Sequence, residues 1–242
     1  MVEQCLQYGD LNIPYQVFFV PGREGKIAIH VHPDGSVQVD APAQASLAEI
    51  KQAVGKRSRW LSTHLDRIKA QKYHVLPREY VSGESHFYLG RRYLLKVRVD
   101  ELDESSVKLR CGQLQVTANK HDRELVKSLL WQWYRAHART QFDRRLGLLW
   151  QNLSWVKTKP TWKLLTMKKQ WGSCSPNGVL SLNPHLVKAP SECIDYVLLH
   201  ELCHLKSHNH SPAFYRQLRQ AMPTWESVKA RLDGMAELLL NE

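Results

Sequence analysis

Long apolar runs are missing from this 242-residue chain. No stretch approaches the roughly 20 residues that a helix needs to cross a bilayer, so no spanning helix and no membrane partner are expected. The first ten residues, MVEQCLQYGD, lack the basic-then-apolar order of a secretory signal. Cysteine is scarce, with five residues scattered at Cys5, Cys111, Cys174, Cys193 and Cys203. An odd, dispersed set argues against a disulfide framework and for reduced thiols in a cytoplasmic setting. No Walker-type glycine loop is present, and nothing in the sequence resembles an internal repeat or a low-complexity tract. Acidic residues are also short: 23 Asp or Glu face 34 Lys or Arg, for a net charge of +11 and a pI near 9.5.

What is present is the composition of a globular protein, 43% hydrophobic and 24% charged. Residues 11–42 are rich in strand formers. Ile13–Val20, Lys26–Val31 and Ser36–Asp40 predict strands, with a turn at His32–Gly35. His30 and His32 read as polar-face residues of this hairpin. Residues 45–73 predict a basic helix capped at Ala45–Ser46, with Gly55 as a break point and Arg67, Lys69 and Lys72 on its charged side. Short strands follow at 85–99 and 107–117, the second pair turning at Cys111-Gly112. A long helix runs from Asp122 toward Leu149. Twelve Lys or Arg, Lys169 among them, against three Asp or Glu mark residues 120–170. Strands at 164–167 and 179–182, a turn at 176–178 and helices at 212–221 and 224–240 complete the pattern. The expected fold is α+β, with a β-rich N-terminal region over 1–118 and a second domain over 119–242 built from a long helix, a small sheet and a further buried helix.

That buried helix carries the chemistry. His200-Glu201-Leu202-Cys203-His204 is an H-E-x-x-H pattern. Residues four apart on a helix lie about 40° apart around its axis, so His200 and His204 can share one metal ion while Glu201 points aside. This is the layout of zinc held by two imidazoles, with a glutamate placed to take a proton from zinc-bound water. Chance alone gives the pattern about 0.03 times in a chain of this composition. The surrounding Ile194, Val197, Leu198, Leu199, Leu202 and Leu205 make it a buried helix, with Ser191 as its N-cap. The third ligand has three candidates. His210 fits if the helix stops after His204 and doubles back, with Asn209 supplying a left-handed residue at the stop. His208 continues the same helix face but splays away, and Glu226 lies on a later helix. Cys203 reads as a small buried core residue. Cys174 is a remote candidate for the open metal position.

Trp171-Gly172-Ser173-Cys174-Ser175, Leu182-Asn183, Asp195-Tyr196-Val197 leading into HELCHL, and Asn209-His210-Ser211-Pro212 with Phe214 together resemble the YgjP-type metal-dependent hydrolases, relatives of the SprT-like zinc peptidases. The matching motifs span about 170–215. The resemblance implies a zincin-like catalytic domain, one zinc ion on His200, His204 and His210, and Glu201 as catalytic base. Gln170 departs from the basic residue usual before the Trp. The ligand spacing also matches the metzincins, but Ser207 replaces their glycine.

The resulting expectation is a zinc metallopeptidase acting on a peptide or protein through Glu201-activated water. Trp171, Gly172 and Ser173 are expected to offer a strand edge to an extended substrate, and Asn209, His208 and Trp171 are candidate donors beside the ligands. The alternative is a metal-dependent nucleoside-triphosphate pyrophosphatase, of the UTP type, at the same site. It is suggested by the labels some members of the group carry and by the basic charge. That charge also suits nucleic acid or nucleotides at a basic face, and the SprT-like relatives that act on DNA-associated proteins suggest the same by resemblance.

Overall fold

A computed structural model describes every residue except 1, 10, 21–26, 32–34, 73–76, 103, 169 and 242, and only the backbone of 67–72. The start of the expected strand at Lys26, most of the turn at His32–Gly35, the side chains of Arg67, Lys69 and Lys72, and Lys169 therefore lie outside the described residues. The chain forms two compact units, Met1–Leu76 and Pro77–Glu242.

The first unit opens with strands β1 (Val2–Tyr8), β2 (Leu11–Val20), β3 (Ala28–Val31) and β4 (Val37–Pro42), followed by helices α1 (Leu47–Gly55) and α2 (Ser58–Lys72). The sheet order is β1-β2-β4-β3, with antiparallel outer pairs and a parallel centre. Alternation sends Val17, Val39 and Ala41 inward onto Ile50, Val54 and Leu61, all fully buried. Ser46 starts α1 through a capping box: it accepts from the Glu49 amide, and Glu49 accepts from the Ser46 amide. The single expected helix is broken at Lys56–Arg57, one residue past Gly55. Strand β1 was not expected, because Glu3, Gln4 and Gln7 give it little strand propensity. It exists by pairing along its whole length with β2.

The second unit begins with β5 (Ser85–Tyr88), β6 (Arg91–Val99), β7 (Ser106–Arg110) and β8 (Gln113–Ala118), then the 27-residue helix α3 (Arg123–Leu149). The order β5-β6-β8-β7 and the parallel β6–β8 centre repeat the first sheet. The inward residues repeat too. Val37, Val39 and Ala41 correspond to Leu114, Val116 and Ala118, and Ile50 and Val54 to Val126 and Leu130. In each copy the helix core positions lie four and eight residues beyond the N-cap, Ser46 or Asp122. Leu95, Leu114 and Val116 share one core with Val126, Leu130 and Tyr134. The boundary between compact units accordingly falls before this sheet, at Leu76/Pro77, while composition had placed it at 118/119.

Short strands β9 (Trp162–Leu164), β10 (Gly172–Cys174) and β11 (Leu180–Leu182) form a third sheet, ordered β10-β11-β9. A 3-10 turn (Pro184–Lys188) leads into α4 (Ser191–His204), then α5 (Pro212–Ala221) and α6 (Trp225–Leu240). The fold is thus α+β, and among the described residues no helix is long and apolar enough to cross a membrane.

The start of α4 is held from a distance. The β5–β6 turn, Leu89-Gly90, has φ of 48° and 77°, the geometry of a tight two-residue hairpin. Its amides donate to the Val187 and Lys188 carbonyls at 2.9 and 3.0 Å. A Cβ on Gly90 would sit 2.8 Å from Pro190 Cα, and Pro190 is the N-cap of α4 in place of the expected Ser191. Gly90→Ala is therefore expected to lower the melting temperature clearly more than Gly112→Ala. Gly112 has a similar φ of 73° but open space around it, so Ala there costs only the roughly 1–2 kcal/mol of left-handed strain. Equal losses in the two melts would remove the Pro190 contact from the account.

Candidate metal centre

Helix α4 packs against α3, α5, α6 and β10, which explains why it is apolar on nearly every side. Ile194, Leu198, Leu202 and Cys203 are fully buried, and burial raises the Cys203 thiol pKa to about 12. Arg145 of α3 fixes the helix laterally, donating to both carboxylate oxygens of Asp195 at 2.8 Å.

One turn apart on α4, His200 and His204 have ring centroids 5.0 Å apart. The helix stops at His204 with tight bonds, Leu205 to Leu202 and Lys206 to Cys203. No left-handed residue is used. Asn209 is not among the positive-φ positions, which corrects that part of the expectation. The turn still brings His210 back, 5.0 Å from His200 and 4.7 Å from His204 by centroid. One nitrogen from each ring lies within 4.8 Å of the other two, and the Nε2 atoms of His200 and His210 are 3.0 Å apart. Zinc–nitrogen bonds of 2.0–2.1 Å at tetrahedral angles put ligand nitrogens about 3.4 Å apart, so the cluster needs only small adjustments to close on one ion. Of the other two candidates, Glu226 instead accepts from Arg219 at 3.0 Å. His208 lines the cleft but stands outside the three-nitrogen cluster.

The rings are aimed by neighbours. His204 Nδ1 lies 3.1 Å from the Ser207 carbonyl, which leaves its Nε2 for the cluster. Phe214 of α5, fully buried, lies against all three rings at centroid distances of 4.7–4.9 Å. Burial and the other two imidazoles push the pKa of His200 down to about 3, and burial lowers that of His204. Both are therefore neutral at ordinary pH, the form that binds a metal.

Glu201 is 5% exposed and burial alone raises its pKa to about 8. Its carboxyl rests on the backbone of β10. A Cβ built on Gly172 would meet Glu201 Oε1 at 2.7 Å and Cγ at 2.8 Å. Gly172 therefore makes room for the glutamate. Together these groups wall a cleft of about 420 Å3, which Trp171, Gly172, Ser173 and Cys174 and, from α6, Lys229, Leu232 and Asp233 also line. Strand β10 is an edge strand. Asn209 is exposed and does not line the cleft. Cys174 does, but burial and Glu201 raise its thiol pKa, which disfavours the thiolate a metal would need.

A profile for the YgjP-like metallopeptidase domain matches residues 25–235. The chain belongs to the YgjP-like metallopeptidase family. It is thus a metal-dependent hydrolase, as the sequence motifs implied. Two crystal structures of metallopeptidase zymogens are similar over part of it. Jannalysin of Methanocaldococcus jannaschii is 24% identical, with 38% of this chain and 92% of that one covered and a TM-score of 0.34. Abylysin of Pyrococcus abyssi is 22% identical, with 46% and 97% covered and a TM-score of 0.32. No curated protein matches.

Two site-building residues escaped sequence reasoning as individuals. Asn183 is fully buried and donates to the Met167 and Gln170 carbonyls at 2.7 and 3.0 Å, holding the segment that leads to Trp171. Its place before Pro184 was the available signal. Phe214 is the other, visible beforehand only as part of a motif.

Proposed function

We propose that this YgjP-like metallopeptidase is a zinc enzyme that cleaves peptide bonds with Glu201 as general base. The observation that carries the reading is the convergence of three imidazoles beside a buried carboxyl held against an edge strand. His200, His204 and His210 would hold the ion, and imidazole ligands, which bind in their neutral form, would leave its double charge intact. Bound there, zinc would supply Lewis acidity and activate water. Glu201 would take a proton from the attacking water and deliver one to the leaving amine. Burial raises the proton affinity of this carboxyl in the metal-free protein, and a bound dication would draw it back toward the carboxylate that a base needs. Trp171 to Ser173 would align an extended peptide along the free edge of β10.

The triphosphate alternative asks for several cations around the metal. Among the described residues only Lys229 brings an ammonium or guanidinium into this cleft, and it is paired with Asp233.

A chelator such as 1,10-phenanthroline is expected to stop casein cleavage, and added zinc to restore it. His210→Ala should lower zinc affinity by more than the roughly 10–100-fold typical of outer-shell changes, read by competition with a coloured chelator. Intact casein together with chelator-sensitive pyrophosphate release from UTP would replace the peptidase reading with the alternative.

A further inference from the structure

The basic charge of this protein is not evenly placed. Met1–Leu76 holds nine Lys or Arg against seven Asp or Glu, and the second unit holds twenty-five against sixteen. Part of that excess is organised on one surface. In the β5–β8 sheet, one face packs on the core through Leu95, Leu114 and Val116. Strand alternation and the register put the opposite residues together on the other face. Lys96 pairs with Gln115, which pairs with Lys108. Leu94 pairs with Gln113, which pairs with Arg110. Arg98 pairs with Thr117, and Arg92 lies one step before Leu94. This face carries five cations and no Asp or Glu, and all five are exposed. Arg98 also bonds Asp100, at 2.5 Å, where β6 ends.

The first unit supplies an internal control. Its sheet has the same order and the same parallel centre. Among the described residues, the corresponding outward positions include Gln16, Phe18, Gln38 and His30, together with the acidic Glu3 and Asp40, and no Lys or Arg. The topology therefore does not require a cationic face.

We propose that the outer face of the β5–β8 sheet binds single-stranded nucleic acid through its phosphates. Strands about 4.8 Å apart and residues two apart along a strand at roughly 6.8 Å set Lys96, Lys108, Arg110 and Arg92 around a central row formed by Gln113 and Gln115. Those two amides bond each other at 3.2 Å, and their other polar atoms can meet sugars or base edges. A phosphate backbone suits such a patch, since each cation neutralises one phosphate and releases its counterion. Arginine in particular matches phosphate geometry. An acidic protein partner fits less well: Leu94 is the single exposed apolar residue within the cation rows, whereas protein interfaces centre on apolar anchors and are depleted in lysine. A broad sheet face also follows an extended strand better than the curved wall of a duplex. The inference stands apart from the metal chemistry.

Fluorescence anisotropy of a labelled 20-nucleotide single strand, titrated with full-length protein across a range of salt, tests it. The wild type should give log K against log salt with a slope of about −3, from roughly 0.7 per neutralised phosphate over four contacts. The quadruple variant Arg92→Gln, Lys96→Gln, Lys108→Gln, Arg110→Gln should bring the slope close to zero and weaken binding at low salt by at least about 100-fold, with an unchanged melting curve. A control that removes the same charge elsewhere, Arg135→Gln, Arg139→Gln, Arg144→Gln, Lys157→Gln, should keep most of the slope. An unchanged slope in the first variant, an equal loss in the control, tighter binding of a matched duplex, or tighter binding of a poly-glutamate peptide would each overturn the proposal. If the quadruple variant melts early, the pair Lys96→Gln, Lys108→Gln should still remove about half the slope, and no change there overturns the proposal equally.

Discussion

Replacing Gly172 with alanine is expected to cut kcat/KM for casein-derived peptides by about 100-fold or more, with zinc content unchanged. Residue 172 donates no side chain to the chemistry, so the size of the effect comes from space alone. A Cβ there would stand 2.7 Å from Glu201 Oε1 and 3.0 Å from its Cδ, where ordinary contact needs about 3.4 Å or more. The atom it meets ends a side chain, but that residue is only 5% exposed, and its way out leads into the cleft, away from its place beside the histidines. The carboxyl must move by most of an ångström, or strand β10 must. A displacement of about 1 Å at a reacting group costs on the order of 100-fold. The three nearest atoms all belong to Glu201, so the clash falls first on the carboxyl and not on the histidines. The variant should therefore separate metal binding from turnover. Ser173→Ala, one residue along the same strand, serves as the control and should stay within severalfold of wild type if β10 recognises substrate through its backbone. Activity of Gly172→Ala within threefold of wild type would sink this account. So would loss of zinc in parallel with loss of activity, which would make the defect one of assembly.

Gly172 also shows what the sequence could and could not disclose about the site. Its residue type and its neighbours Trp171 and Ser173 were visible, and the strand-edge expectation grouped all three as substrate contacts. Why glycine stands there was not visible, because the reason lies on a helix thirty residues later. The ligand cluster was more legible. Two histidines one turn apart on an apolar helix fix each other's geometry locally, and only the third ligand depended on how the chain left the helix. His210 does come back to the other two rings, but by a different route from the one expected: the return turn needs no left-handed asparagine.

The fold divides along the same line. Strands with branched or aromatic residues in alternation, and helices with a capping residue and an apolar stripe, could be read directly. The start of α3 at Asp122 and the stop of α5 at Ala221 are examples. Strand β1 could not, since its stability comes from β2. The doubled ββββα arrangement was hidden for a related reason. The two copies share register and the positions of buried side chains, yet Val37 faces Leu114 in that correspondence, Ile50 faces Val126, and the outward positions have no identity to keep. Burial constrains only size and apolarity at such positions, so the repeat survives in pairing while the letters diverge.

Glu201→Gln carries the largest expected effect, and it has two parts of opposite sign. Turnover should fall by roughly 100- to 10,000-fold, the usual range for losing a general base, because an amide cannot accept the water proton. The metal-free variant should at the same time be more stable than metal-free wild type at alkaline pH. Burial raises the Glu201 pKa from 4.5 to about 8 in the folded protein, while in the unfolded chain it titrates near its ordinary value. The folded state thus holds a proton that the unfolded state has already released. That contribution to stability is complete below about pH 4.5 and is lost as pH rises through about 8. Glutamine has no proton to lose, so the gap between variant and wild type should be small near pH 5 and widen to several kcal/mol, on the order of 1.4 per pKa unit, by pH 9. His200, whose pKa is lowered to about 3, works at the other end. It costs stability as pH falls from about 6.5 toward 3, and it does so in both proteins, so it cancels in the difference. Zinc should shrink the gap, since a nearby dication favours the carboxylate. Denaturant melts of the metal-free and zinc-loaded proteins at pH 5, 7 and 9 measure all of this. A gap that does not widen with pH would mean that Glu201 is solvated or paired in the folded state, and the base would then owe its proton affinity to something other than burial.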